Sequence, residues 1–203
     1  MKKLYGYSIG GSDGNGSVSA AGTYKTYIDS QYQDGDYRKI TYRNGGKKTT
    51  TVHTSGCAGV SLAMALNALL DTDQYDGQNV MQWFADNGYY YGKGTYQSGL
   101  VKYPRKLGLN TTSCDTAKSL TSHLKKGRLA VAIIRDNTGD EFFTYSGSSG
   151  HFILVSGCRK VNGTEQVFVN NPLSWKRSTW FDLKDLMSNI KHEYDNAFVV
   201  IYK

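Results

Sequence analysis

The hydrophobic positions of this chain change their period once, near Gly127. Before it, apolar residues recur every three or four positions. The clearest such stretch runs from Cys57 to Leu70, where Val60, Ala63, Met64, Asn67 and Leu70 mark one face and Leu62, Leu66 and Leu69 widen it. A helix this apolar is expected to be central and buried. Ser55-Gly56 precede it and offer a capped start. A second helix is predicted over Gly77–Asn87, with Val80, Met81, Trp83 and Phe84 inside. Pro104 is read as opening a short helical turn that ends near Gly108. Thr116–Lys126 reads as a further helix, with Asp115 as its cap and Gly127 as its stop.

Beyond Gly127 the pattern becomes short β-branched and aromatic runs bounded by turns. These are Arg128–Arg135, His151–Gly157, Glu165–Asn170, Ser178–Phe181 and Phe198–Tyr202, with a helical piece at Leu183–Ile190. Helices first and strands second predict an α+β domain with a central N-terminal helix packed on an antiparallel sheet. Residues 1–24 are rich in Gly, Ser and Ala and read as a flexible arm, leaving residues 25–203 as the domain. Between them and the first helix, residues 25–53 are polar and Tyr-rich, with turn signals at Asp34-Gly35 and Asn44-Gly45-Gly46.

Composition narrows the function classes. The net charge of +7 comes from Lys and Arg spread along the chain, which describes a solvated surface with weak attraction for anionic polymers such as those of a cell wall. No helix-turn-helix, zinc or RNA-binding signature accompanies it, so no specific nucleic-acid partner is expected. The three cysteines, Cys57, Cys114 and Cys158, cannot all be paired with one another, so at least one thiol is free. The histidines show no metal-ligand spacing to them, and neither a metal nor an organic cofactor is expected. The opening Met1-Lys2-Lys3 is not followed by an apolar core of the secretory kind, and no window is apolar enough for a membrane span. The expectation from this is synthesis in the cytoplasm, so that any action outside the cell needs release by something other than a signal peptide.

The candidate chemistry rests on three positions. Cys57 begins the buried helix, where unpaired backbone N–H groups and the helix dipole are expected to stabilise a thiolate. Gly56, Ala58 and Gly59 are expected to keep its approach open. His151 opens a strand after a Gly/Ser loop, where a base can face a neighbouring helix. Asn171 follows a strand and precedes Pro172, which stops that strand; its side chain suits the second imidazole nitrogen. Taken singly, each has a plainer reading: a small core cysteine, a structural histidine, an Asn-Pro turn. In the order Cys, His, Asn they form the papain-like arrangement. Cys114 and Cys158 are expected to be packing residues, beside a helix start and at a strand end.

The segments SGCAGVSLAMALNALL, GHFILVSG and VFVNNP resemble the papain-like cysteine peptidases related to the bacteriocin-processing, double-glycine leader peptidases. The stretch around WFADNGYYYGKGT and the pair Gly108-Leu109 resemble them too, so the likeness runs from about Tyr32 to Tyr202. It implies Cys57 as nucleophile, His151 as base and Asn171 as the group that orients the base. It also implies an oxyanion-stabilising glutamine upstream, for which Gln33 is preferred over Gln31. Two departures stand out: Cys57-Ala58-Gly59 replaces the usual Cys-Gly-Pro, and Asn171 replaces the commoner Asp.

The resemblance implies thiol acyl transfer to water. For substrate, a small, basic peptidase without membrane or nucleotide-binding segments resembles a phage lysin or tail-associated enzyme, which implies a phage-type peptidoglycan endopeptidase acting on the cell wall after release or as part of a virion. A processing peptidase for a protein or leader peptide is the alternative, and a non-catalytic wall-binding or virion module on the same fold is the alternative of another class.

Overall fold

The computed structural model describes residues 4–5, 26–27, 39–43, 46–92, 94–135, 150–173, 178–190 and 196–203. Two short strands, β1 (Leu4–Tyr5) and β2 (Thr26–Tyr27), pair antiparallel. A pair of strands, β3 (Lys39–Arg43) and β4 (Lys47–Thr51), follows and runs antiparallel; the predicted turns at Asp34-Gly35 and Asn44-Gly45 lie outside the described residues. Then come α1 (Val52–Ser55), α2 (Cys57–Leu70), α3 (Gly77–Asp86), α4 (Gln97–Lys106), β5 (Asn110–Cys114), α5 (Ala117–Lys125), β6 (Leu129–Ile134), β7 (His151–Val161), β8 (Thr164–Asn170), β9 (Thr179–Asp182), α6 (Leu183–Ser188) and β10 (Phe198–Tyr202). The antiparallel sheet expected from the second half of the chain is six-stranded, in the order β5-β10-β6-β7-β8-β9.

The central strands are buried on both faces, and strand alternation divides them between two cores. Leu129, Val131, Ile133, Phe152, Leu154, Val199 and Ile201 face α2. Ala130, Ala132, Ile134, Ile153, Val155, Phe198 and Val200 face the opposite core, which Leu120 and Leu124 of α5 and Leu183 and Leu186 of α6 close. This double burial is why these strands read as unbroken apolar runs rather than as alternating ones. Twelve of the fourteen residues of α2 are buried, so the helix lies between the sheet on one side and α3 and α4 on the other.

Polar side chains fix the helical layer. Asn67 sits within an apolar face but is not misplaced: its amide donates to Tyr75 O at 2.8 Å and accepts from Tyr75 N at 3.0 Å, pinning the loop that leaves α2. Gln82 of α3 does the same for Thr41, at 3.0 and 2.9 Å, docking β3 on the helix. Trp83 stacks on Tyr103 with ring centroids 4.3 Å apart and so ties α3 to α4.

Several local expectations are corrected. Pro104 does not open a helix; it lies in the last turn of one that begins at Gln97, where Leu100, Tyr103 and Pro104 share a buried face. The α5 cap is Thr116, whose hydroxyl accepts from Ser119 N at 3.2 Å, rather than Asp115. Cys114 ends a strand that the polar run Asn110–Cys114 does not announce, and Cys158 lies within β7 rather than at its end. Of the arm, only Leu4–Tyr5 falls among the described residues.

Candidate active site

The start of α2 is built by close approach. Gly56 is its N-cap and supplies no side-chain cap; Ser55 ends α1 instead. A Cβ on Gly56 would lie 2.4 Å from Val52 Cγ1, so only glycine allows the chain to pass from α1 into α2 here. Gly59 is equally constrained: a Cβ there would meet Met81 Cγ at 2.4 Å and Gly77 O at 2.9 Å. Both glycines therefore serve packing, not access to the thiol.

With no side chain capping the helix, its first N–H groups remain for the sulfur. The backbone N–H groups of Cys57 and Ala58 act on the thiol from its own helix, and that of Phe152 acts on it from β7. Each favours the thiolate, but burial outweighs them and pushes the Cys57 thiol above its ordinary value. The expectation of a lowered thiol is thus reversed: desolvation exceeds the helix-terminus effect. The residue itself remains partly accessible.

The Phe152 amide is the one that joins it to His151, so the histidine backbone is directly adjacent to the Cys57 sulfur. His151 is 3% exposed, and its Nε2 lies 3.2 Å from Asn171 Oδ1. That oxygen also accepts from Leu173 N at 3.0 Å, across Pro172. The two roles identify the amide oxygen: a backbone N–H can only donate, so the atom facing both donors is the acceptor. In the neutral ring Nε2 then carries the proton and Nδ1 is the basic nitrogen. Asn171 N donates to Ser178 Oγ at 3.1 Å, which holds the residue from its backbone side. Asn171 is itself 3% exposed, so water has little access to the His–Asn bond.

The structure therefore brings Cys57, His151 and Asn171 to one end of the sheet. Gln33 and Gln31 lie outside the described residues. Ser61, 0% exposed and one turn along α2 from Cys57, was not singled out by sequence reasoning. The only signal for it is a hydroxyl inside an otherwise apolar run. Among the described residues, no group of three or more His, Cys, Asp or Glu could hold a metal ion, and no helix is long and apolar enough to cross a membrane.

Comparison with known proteins gives the family. The staphopain peptidase C47 family matches residues 35–199. The chain belongs to that family. It is 26% identical over 133 residues to an extracellular cysteine protease of Staphylococcus epidermidis, covering 62% of this chain and 74% of that one. Among solved structures it is similar to a protein described as a C39-like peptidase from Bacillus anthracis, with TM-score 0.55 at 15% identity, over 87% of this chain and 93% of the other. It is also similar to the peptidase domain of Streptococcus ComA, a bi-functional ABC transporter of a quorum-sensing pathway, with TM-score 0.51 at 15% identity, over 82% and 96%. The two structural likenesses establish the shared papain-like fold, and family membership makes this staphopain-family chain a cysteine peptidase of papain-like type.

Proposed function

We propose that this staphopain-family chain is an endopeptidase acting outside the cell on polypeptide substrates, with Cys57 as nucleophile, His151 as general base and acid, and Asn171 as the residue that orients the base. The observation that carries this reading is the convergence on one point: the His151–Phe152 amide on the Cys57 sulfur, and His151 Nε2 on Asn171 Oδ1 at 3.2 Å. His151 Nδ1 takes the thiol proton as the sulfur attacks the scissile carbonyl carbon, a thioester forms, and the imidazolium returns the proton to the departing amine. Water, deprotonated by the same nitrogen, then hydrolyses the thioester and frees the thiol. The oxyanion is held by backbone N–H groups at the start of α2, with Gln33 as the side-chain donor.

The polypeptide reading is supported by the staphopain family and by the extracellular protease relative. A second reading, cleavage of peptidoglycan peptides, is favoured by the net charge of +7, which suits an anionic wall. One experiment separates them. Wild type and Cys57→Ala are incubated with fluorescein-labelled casein and with purified Gram-positive walls, and released fragments are sequenced by mass spectrometry. Cys57-dependent cleavage of casein alone supports the polypeptide reading. Cys57-dependent new amino termini from walls alone would replace it with the second. Cleavage of neither, together with a Cys57 no more reactive than Cys114 and Cys158, would indicate a binding module.

A further inference from the structure

We propose that Ser61 is a positioning residue of the peptidase: with Cys57 it clamps the backbone of Phe152, and so fixes the nucleophile's helix against the strand that carries His151. The proposal rests on the reading of Cys57 and His151 as the reacting pair.

Ser61 Oγ donates to Phe152 O at 3.2 Å, a bond between residues 91 positions apart and fully buried. A serine inside a helix commonly closes back on its own helix, four residues earlier. Ser61 reaches across to β7 instead. It stands four residues after Cys57, so the two side chains lie one above the other on the same helical face. Their targets are the two backbone groups of one residue: the Phe152 N–H acts on the Cys57 sulfur, and the Phe152 carbonyl accepts from Ser61.

The sheet explains why both groups are available. Ile133 N donates to Ala197 O, so the polar groups of Ile133 point toward β10. Ile133 faces Phe152 across the β6–β7 pair. In an antiparallel ladder that makes it a non-hydrogen-bonded pair, and the Phe152 groups point away from β6, toward the β8 side. There the ladder ends at Leu154 opposite Asn170. Continued, it would set Pro172 opposite Phe152, and proline has no N–H to give. The strand thus presents an unladdered amide and carbonyl at one residue beside His151, and α2 takes both. Elsewhere the α2 face toward the sheet is apolar and fixes distance, but apolar contacts alone leave sliding along the strand poorly specified. The directional Ser61 bond fixes that degree of freedom.

The test is the alkylation of Cys57 by iodoacetamide as a function of pH, followed by peptide mass spectrometry, with peptidase turnover measured beside it. In Ser61→Ala the Phe152 N–H is expected to drift from the sulfur. Cys57 alkylation near neutral pH should slow several-fold and its midpoint should move to higher pH, while kcat falls roughly tenfold with KM little changed, as for a small misplacement of reacting groups. Ser61→Cys, which keeps a weak donor of similar shape, should lie between wild type and alanine. Thr121→Val, which removes a buried hydroxyl from α5 in the opposite core, controls for lost stability and should leave the Cys57 profile unmoved. If Ser61→Ala does not fold, Ser61→Cys decides by the same readouts. A wild-type alkylation profile and kcat in a folded Ser61 variant would overturn the clamp. Cys57→Ala in the same series separates the two readings: activity that survives it defeats the assignment of the nucleophile, whatever Ser61 does.

Discussion

The three cysteines stand on two sides of one sheet, and burial raises the thiol of each. Cys57 packs against the core between the sheet and α2; Cys114 and Cys158 belong to the core closed by α5 and α6. What differs is what opposes burial. At Cys57 it is three backbone N–H groups held by a helix start and a strand. At Cys114 it is the Ser119 hydroxyl, with Asp115 acting in the other direction, and the thiol is pushed up to about 11. At Cys158 Lys125 and Glu165 act in opposite senses, while the thiol donates to Thr121 O at 3.9 Å. Fixed backbone dipoles need no reorganisation as charge develops, whereas surface side chains are mobile and screened. The kind of group around the buried sulfur, rather than burial itself, therefore distinguishes Cys57 from Cys114 and Cys158.

The sharpest way to break this comparison is to delete each sulfur in turn. Cys57→Ala should remove peptidase turnover by about three orders of magnitude or more, as loss of a nucleophile does in other hydrolases. Cys114→Ala and Cys158→Ala should keep turnover and lose only stability, read by urea denaturation.

Next in size is Asn171. Asn171→Ala should lower kcat by about a hundredfold, since the imidazole loses the bond that holds its tautomer and orientation. Asn171→Asp should keep much of the activity. A carboxylate behind the ring stabilises imidazolium, so the low-pH limb of the rate profile should move to higher pH.

A smaller effect is expected from Gly59→Ala. Its new methyl would press on Met81 and the Gly77 carbonyl. Such overpacking should cost about 1–3 kcal/mol in urea titrations. If the cost proves negligible, α2 and α3 are less tightly docked than the geometry implies.

The smallest effect concerns pH. Cys114 holds its proton more tightly folded, near 11, than at its ordinary 9.0. Between those values the folded state binds more protons than the unfolded one, so stability falls as pH rises through that window. Below it the contribution is fully present. Cys114→Ala should flatten the decline in stability measured by denaturant titration from pH 8.5 upward.

Much of this was legible in the chain. The central helix is found where its apolar period places it, Cys57–Leu70, and the last strand where its β-branched run places it, Phe198–Tyr202. Cys57, His151 and Asn171 were nameable because each stands at an element boundary marked by glycine or proline. What was not legible is as particular. The strand Asn110–Cys114 is polar because, among the described residues, it is an edge strand paired with β10 alone. The helix around Pro104 was hidden because proline signals a helix start more often than a last turn. Gly56 and Gly59 read as keeping the thiol's approach open, yet a Cβ at either would lie 2.4 Å from a neighbouring side chain.

The sequence by itself determined the period of the central helix and of the buried strands, and with it the residue types at their ends, because periodicity is a local property of the chain. Only the tertiary structure decided how those ends meet. That Phe152 offers both backbone groups to α2, that Asn171 turns its oxygen to His151, and that burial outweighs the helix terminus at Cys57 all depend on strand register and on the exclusion of water. Both arise from contacts between residues distant in the chain, which no local pattern encodes.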